Sequence, residues 1–153
     1  MSSVVQLHQT ITQKPIAALG DCEVSALPHF AQKIPAGFPS PAQDYTQETL
    51  DLNEYLVQHQ AASFFFTVVG SSMIGAQIDD GDKVLVDRSI APKHNHIVIA
   101  AINDEYTIKR LYKRSGVIEL RPENPAFKPI RFSDGEELVI WGVVVAVIRK
   151  LKV

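Results

Sequence analysis

Two hydroxyls and an amine are the groups in this chain whose placement could do chemistry. The hydroxyls, Ser71 and Ser72, follow an apolar run, Phe64 to Val69, and a glycine, Gly70, with Met73 behind them. A serine at the mouth of a strand, leading into one helical turn, can present a nucleophile while backbone N–H groups stay free to meet an oxyanion. The amine is Lys109, in Glu105-Tyr-Thr-Ile-Lys-Arg-Leu-Tyr112. Side chains alternate along a strand, so Thr107, Lys109 and Leu111 share one side, and Tyr106, Ile108, Arg110 and Tyr112 the other. One of the two basic residues therefore points toward whatever Leu111 packs on. A lysine taken out of water is costly while charged; its pKa falls and it becomes a usable base near neutral pH. Serines in such turns are commonly solvated or capping, and strand lysines commonly face solvent. Which side of this strand is the inner one is not written in the stretch itself.

A third stretch, Lys33 to Ala42 (KIPAGFPSPA), holds two minimal side chains, Ala36 and Gly37, between Pro35 and Pro39. Such a segment stays extended and accessible, and a bond between two small residues suits a tight protease cleft; an ordinary Pro/Gly linker has the same composition. Other candidates carry less. His94 and His96 have a two-ligand spacing without a further His or Cys cluster, so no metal site is expected. Asp79, Asp80 and Asp82 lack calcium-loop spacing and read as a turn into the strand at Lys83. No phosphate-binding glycine loop occurs, and none of the five histidines stands in a triad context, so no cofactor is expected. Cys22 reads as a bystander.

These residues need elements to hold them. Residues 1 to about 44 are broken by Pro15, Pro28, Pro35, Pro39 and Pro41 and read as an extended arm, with a short strand at Val4 to Leu7. Gln47 to His59 places Leu50, Leu56 and Val57 near one face of an amphipathic helix. Beyond it, Phe64 to Val69, Lys83 to Asp87, Ile97 to Ile102, Glu105 to Lys113, Val117 to Arg121 and Leu138 to Leu151 are β-branched or aromatic runs. Turns at Asn103-Asp104, Ser115-Gly116, Arg121 to Pro125 and Ser133 to Gly135 separate them. The fold class is mostly β, with bent or barrel-like sheets.

At 153 residues the chain has one domain's worth of core, and its composition is globular, 46% hydrophobic and 21% charged. A formal net charge of −2 gives no electrostatic footprint for nucleic acid, and the prolines leave no room for a helix-turn-helix. One cysteine excludes an internal disulfide framework and favours a reducing compartment. With no secretory signal and no apolar run beyond ten residues (Val139 to Ile148), a cytoplasmic protein is expected.

Taken in order, the motifs resemble those of the LexA/UmuD family of self-cleaving serine–lysine peptidases, its UmuD branch in particular. Ala36-Gly37 followed by Phe38-Pro-Ser-Pro41 is similar to the cleavage segment. Asp51-Leu-Asn53 leading to Leu56 and His59 is similar to the segment before the first core strand. Gly70-Ser71-Ser72-Met73 resembles the nucleophile motif, and Tyr106-Thr-Ile-Lys-Arg-Leu111 the lysine motif. Ser72 and Lys109 lie 37 residues apart, which also fits. The resemblance covers residues 36 to 153. Two departures stand out: Ser71 where relatives are often acidic, and Asn95-His96 where they often have Gly-Asp.

The resemblance implies a bent-sheet peptidase domain of the LexA/signal-peptidase type over 47–153, a linker over 37–46, and an arm, 1–36, removed by self-cleavage. It implies Ser72 as nucleophile, Lys109 as general base, the backbone of Ser72 and Met73 as oxyanion donors, and the Ala36–Gly37 bond as substrate. It further implies a homodimer, activation by a RecA-type recombinase filament, and service to a Y-family translesion polymerase in the SOS response. Two other readings carry the same residues: a non-cleaving interaction module of this fold, and a signal-peptidase-like enzyme acting on other chains.

Overall fold

A computed structural model describes residues 26–39, 41, 47–132 and 136–153. The strand expected at Val4 to Leu7, Cys22 and the turn at Ser133 to Gly135 lie outside the described residues. The chain divides between Asp51 and Leu52 into two compact units.

In the first unit, β1 (Leu27–Phe30) and β2 (Gln47–Leu50) pair antiparallel, Leu27 opposite Leu50 and Phe30 opposite Gln47. Pro28 is tolerated because a two-stranded ribbon leaves outward N–H positions that no ladder needs. The connection between these strands carries Ala36 and Gly37, both exposed, between Ile34 and Phe38 at 90% and 93% exposure. The helix expected over Gln47 to His59 is cut down to α1 (Leu52–Leu56). Pairing with β1 takes the backbone groups of Gln47 to Leu50 that a helix would have bonded internally, so tertiary pairing overrides the apolar spacing.

The second unit is built on a seven-stranded antiparallel sheet. Its strands are β3 (Ser63–Thr67), β4 (Lys83–Asp87), β5 (Ile97–Ile102), β6 (Glu105–Arg114), β7 (Val117–Arg121), β8 (Ile130–Arg131) and β9 (Leu138–Ile148). The order across the sheet is β3-β4-β9-β5-β6-β7-β8, so the last strand enters the middle. It does so because β4 and β9 are apolar on successive residues: Val84, Leu85 and Val86 are all buried, as interior strands require. Register shifts at Leu85/Val86 and Ile99/Ala100 mark bulges where β9 carries an extra residue against each neighbour. Such bulges raise the local twist and bend the sheet. Gly142 is needed there: a Cβ would sit 2.6 Å from Val86 Cγ1.

Two-residue turns join β5 to β6 and β6 to β7. Asn103 and Asp104 (φ 48° and 66°) and Ser115 and Gly116 (φ 51° and 74°) all take the positive φ that a right-twisted hairpin asks for. Apolar side chains gather into two clusters. One joins Val68, Met73, Ile78, Val84, Val86 and Ile99, with Phe66, Trp141 and Val144 packed on it. The other joins Val98, Ala100, Leu111, Leu120 and Val143. Among the described residues no helix is long and apolar enough to cross a membrane.

Candidate active site

The run Phe64 to Val69 leaves the ladder early: β3 ends at Thr67, and Val69 is exposed. The chain is instead stitched to the Asp79 to Asp82 turn. Val68 N–H donates to Asp82 O (2.8 Å) and Gly81 N–H to Val68 O (2.8 Å), while Gly70 N–H donates to Asp80 Oδ1 (2.7 Å). Gly70 takes φ 92° without the strain a Cβ would add. The direction of the chain then reverses. Ser71 is exposed, Ser72 half-buried, and Met73, at 1% exposure, drives into the first apolar cluster. Burying such a side chain contributes about 1.5–3 kcal/mol, which pins the residue next to the hydroxyl. A short 3-10 turn, Ile74–Ala76, follows, with Ala76 N–H donating to Met73 O (3.0 Å). No described residue accepts from the Ser72 or Met73 N–H.

The Asp79 to Asp82 turn is itself anchored. Asp82 is buried and receives Arg149 Nε (2.7 Å) and Nη2 (2.6 Å); Arg149 also reaches Asp79 (2.9 Å) and Gln77 O (3.0 Å). The Arg149 bonds hold the Asp82 carboxyl down at about 2, against the opposing pull of its burial. Arg149 lies just past β9, within the stretch read from sequence as strand.

On β6 the buried side is the one carrying Lys109 and Leu111. Lys109 is only 8% exposed. Its amine donates to Ser72 Oγ (3.0 Å), Thr107 Oγ1 (2.9 Å) and Ile108 O (2.9 Å). Among the described residues two hydroxyls and a carbonyl are its partners, and no carboxylate pairs with it. Burial pushes its pKa below the ordinary lysine value. Ser72 and Lys109 face an open cleft of about 430 Å³ whose walls include Phe66, Val69, Tyr106, Ile108 and Phe127. An apolar cleft holding a hydroxyl against an amine whose burial favours the neutral form can run nucleophilic acyl transfer.

The other sequence candidates fall elsewhere. Ala36 and Gly37 belong to the first unit. Asp79, Asp80 and Asp82 act as turn and anchor. His94 Nδ1 accepts from Lys113 N–H (3.1 Å) and packs edge-on to Tyr112, while His96 Nδ1 accepts from Lys93 N–H (3.2 Å). Asn95 adopts φ 71°, so the turn keeps the left-handed residue that glycine would supply, and asparagine tolerates it. Sequence reasoning left out Thr107, although strand alternation had set it on the Lys109 side.

It also missed a histidine pair. His59 Nδ1 lies 2.7 Å from Asp87 Oδ2, and Asp87 further accepts from Ser89 N–H (2.7 Å) and Ser89 Oγ (2.6 Å). Burial disfavours the Asp87 charge, yet the Ser89 and His59 bonds outweigh it and leave the carboxyl below its usual range. Neither His59 nor Asp87 lines the Ser72 cleft, so this pair fastens the segment before β3 onto β4.

Residues 28–145 match the Peptidase S24-like family. The chain is 46% identical over 127 residues to the protein MucA of Salmonella typhimurium, covering 82% of this chain and 86% of MucA. It is 40% identical over 149 residues to the protein ImpA of Shigella flexneri, covering 94% and 97%. The LexA repressor of Anaeromyxobacter dehalogenans is 37% identical over 121 residues, 78% of this chain and 53% of the repressor. Matched along most of its length by these relatives, the chain belongs to the Peptidase S24-like family, within its UmuD-like group of self-cleaving SOS-response proteins.

Proposed function

We propose that the chain hydrolyses its own Ala36–Gly37 peptide bond with a Ser72–Lys109 dyad. The observation that carries the reading is the buried Lys109 amine, 3.0 Å from Ser72 Oγ and paired with no carboxylate among the described residues. Neutral Lys109 takes the Ser72 proton as Oγ attacks the Ala36 carbonyl. The Ala36–Gly37 C–N bond then breaks, the proton passes to the Gly37 amine, and Ala36 is left as an ester on Ser72. Water, deprotonated by the same amine, releases the Ala36 carboxylate and returns the serine. The Ser72 and Met73 N–H groups receive the oxyanion; one such donor is worth about 2.7–4 kcal/mol.

Loss of the arm leaves residues 37–153, which act in the cytoplasm as a homodimer with a Y-family translesion polymerase subunit. A RecA-type recombinase filament accelerates the cut. Family membership supports these partners, and the reaction needs no cofactor. Intact-mass measurement after incubation at alkaline pH tests the core of the reading. The wild-type chain releases a fragment ending at Ala36, while folded Ser72→Ala and Lys109→Ala chains stay whole. Cutting that persists in both defeats the dyad, whereas a wild-type chain that stays whole leaves the non-cleaving interaction-module reading.

A further inference from the structure

The nucleophile turn is held from a second side by the loop after β7. Glu123 N–H donates to Ser72 O (2.8 Å), and Gly75 N–H donates to Glu123 O (2.7 Å), so one backbone residue clasps the turn before and after Met73. Asn124 Nδ2 adds a bond to Ser71 O (2.9 Å). The approach is close: a Cβ on Gly75 would lie 2.6 Å from Glu123 O. Glu123 is in turn tied by its side chain. Its carboxylate pairs with Arg110 Nε, and Arg110 Nη1 donates to Asn95 O (2.8 Å). Arg110 is the neighbour of Lys109 on β6 and leaves the strand on the opposite side.

We propose that Arg110 and Glu123 form a latch that sets the Ser72–Lys109 distance. One end grips the strand that carries the base, and the other end grips the main chain of the nucleophile itself. Neither residue touches the reacting atoms, so both are positioning residues. The proposal rests on the dyad reading above. Without the ion pair the loop at Glu123 is held to β6 only through the end of the β7 ladder, where Arg121 pairs with Arg110, and the hydroxyl drifts relative to the amine. A displacement near 1 Å costs on the order of 10²-fold in rate. Water entering the gap raises the Lys109 pKa toward that of a solvated lysine.

The two residues carry opposite charges, and that separates a latch from a through-space effect. Removing the Arg110 cation alone would raise the Lys109 pKa, and removing the Glu123 anion alone would lower it. A latch predicts the same direction for both. The experiment uses the full chain with Arg110→Gln, Glu123→Gln and the double variant. Self-cleavage is followed from pH 6 to 11, and Lys109 is titrated by NMR of its labelled ε-carbon. Expected are a plateau rate at least tenfold lower in each single variant, a Lys109 midpoint moved upward in both, and a double variant no worse than the singles. Midpoints moving in opposite directions, unchanged rates, or losses that multiply in the double variant overturn the latch. Should either chain fail to fold, Arg110→Lys and Glu123→Asp, which keep the charges and lose the geometry, must show the same upward shift. The Ser72→Ala chain is measured alongside: if it still cuts, the dyad reading has failed, while the titration of Lys109 still tests the latch.

Discussion

Neutral Lys109 has two hydrogens and one lone pair to distribute among three neighbours. Thr107 Oγ1 and Ile108 O can take the hydrogens, which turns the lone pair to Ser72 Oγ–H. The protonated amine satisfies the same three oxygens yet is buried with no anion beside it among the described residues, so the site favours the form that acts as a base. The linkage has a definite sign. A lysine whose folded pKa lies below 10.5 burdens the native state while protonated, and the burden lifts as pH rises through the folded value. Lys109→Met, which keeps the volume and removes the amine, is therefore expected to raise Tm at neutral pH. Its advantage over wild type should shrink as pH approaches 10.5, followed by calorimetry. For the same reason wild-type self-cleavage should climb with pH and then level off; a rate flat from neutral pH upward would contradict a lysine base. At this scale Lys109 and Leu111 were legible on one side of β6 from alternation alone, because period two is a property of every strand. That this side is the inner one was not legible, since it depends on what the neighbouring strands bring to it.

The elements around the site are short, and their bonds to one another hold the geometry. The turn at Asp79 to Asp82 steadies Gly70 on one side and is steadied by Arg149 on the other. Arg149→Ala leaves a buried carboxylate without its cation and should cost about 3 kcal/mol near neutral pH, read from denaturant unfolding. Asp82 contributes stability that is present above the ordinary carboxylate value of 3.8 and is lost as pH falls to about 2. The difference between wild type and Arg149→Ala should therefore close over that acid window. Gly75→Ala should destabilise by about 1–3 kcal/mol and slow self-cleavage, because the added methyl meets Glu123 O. The strands Lys83–Asp87, Ile97–Ile102 and Val117–Arg121 stand where their sequence runs put them, bounded by turn residues that fix where each must stop. Gln47 to Leu50 went the other way: its apolar spacing suits a helix, but β1 supplies a partner for its backbone, and that contact lies far along the chain.

Across the whole molecule, residues 31–39, exposed except for the half-buried Gln32, and the sheet of the second unit differ in how much burial protects their backbones. Limited digestion with a protease of broad specificity should nick residues 31–41 first and leave 63–132 intact, as mass spectrometry of the fragments would show. Early cuts inside β4 or β9 would contradict their place as paired interior strands of the sheet. The sequence by itself determined which groups could react, the small-residue bond suited to a tight cleft, the mostly-β fold class and the turns that punctuate it. These follow from side-chain type and local period, which neighbours along the chain suffice to set. Tertiary structure alone decided that β9 enters the middle of the sheet and that Lys109 is buried against Ser72. It alone set Arg149 on Asp82 and Glu123 against Ser72 and Gly75. Each of these joins residues remote in sequence, and the free energy of such contacts depends on three-dimensional packing that no local pattern encodes.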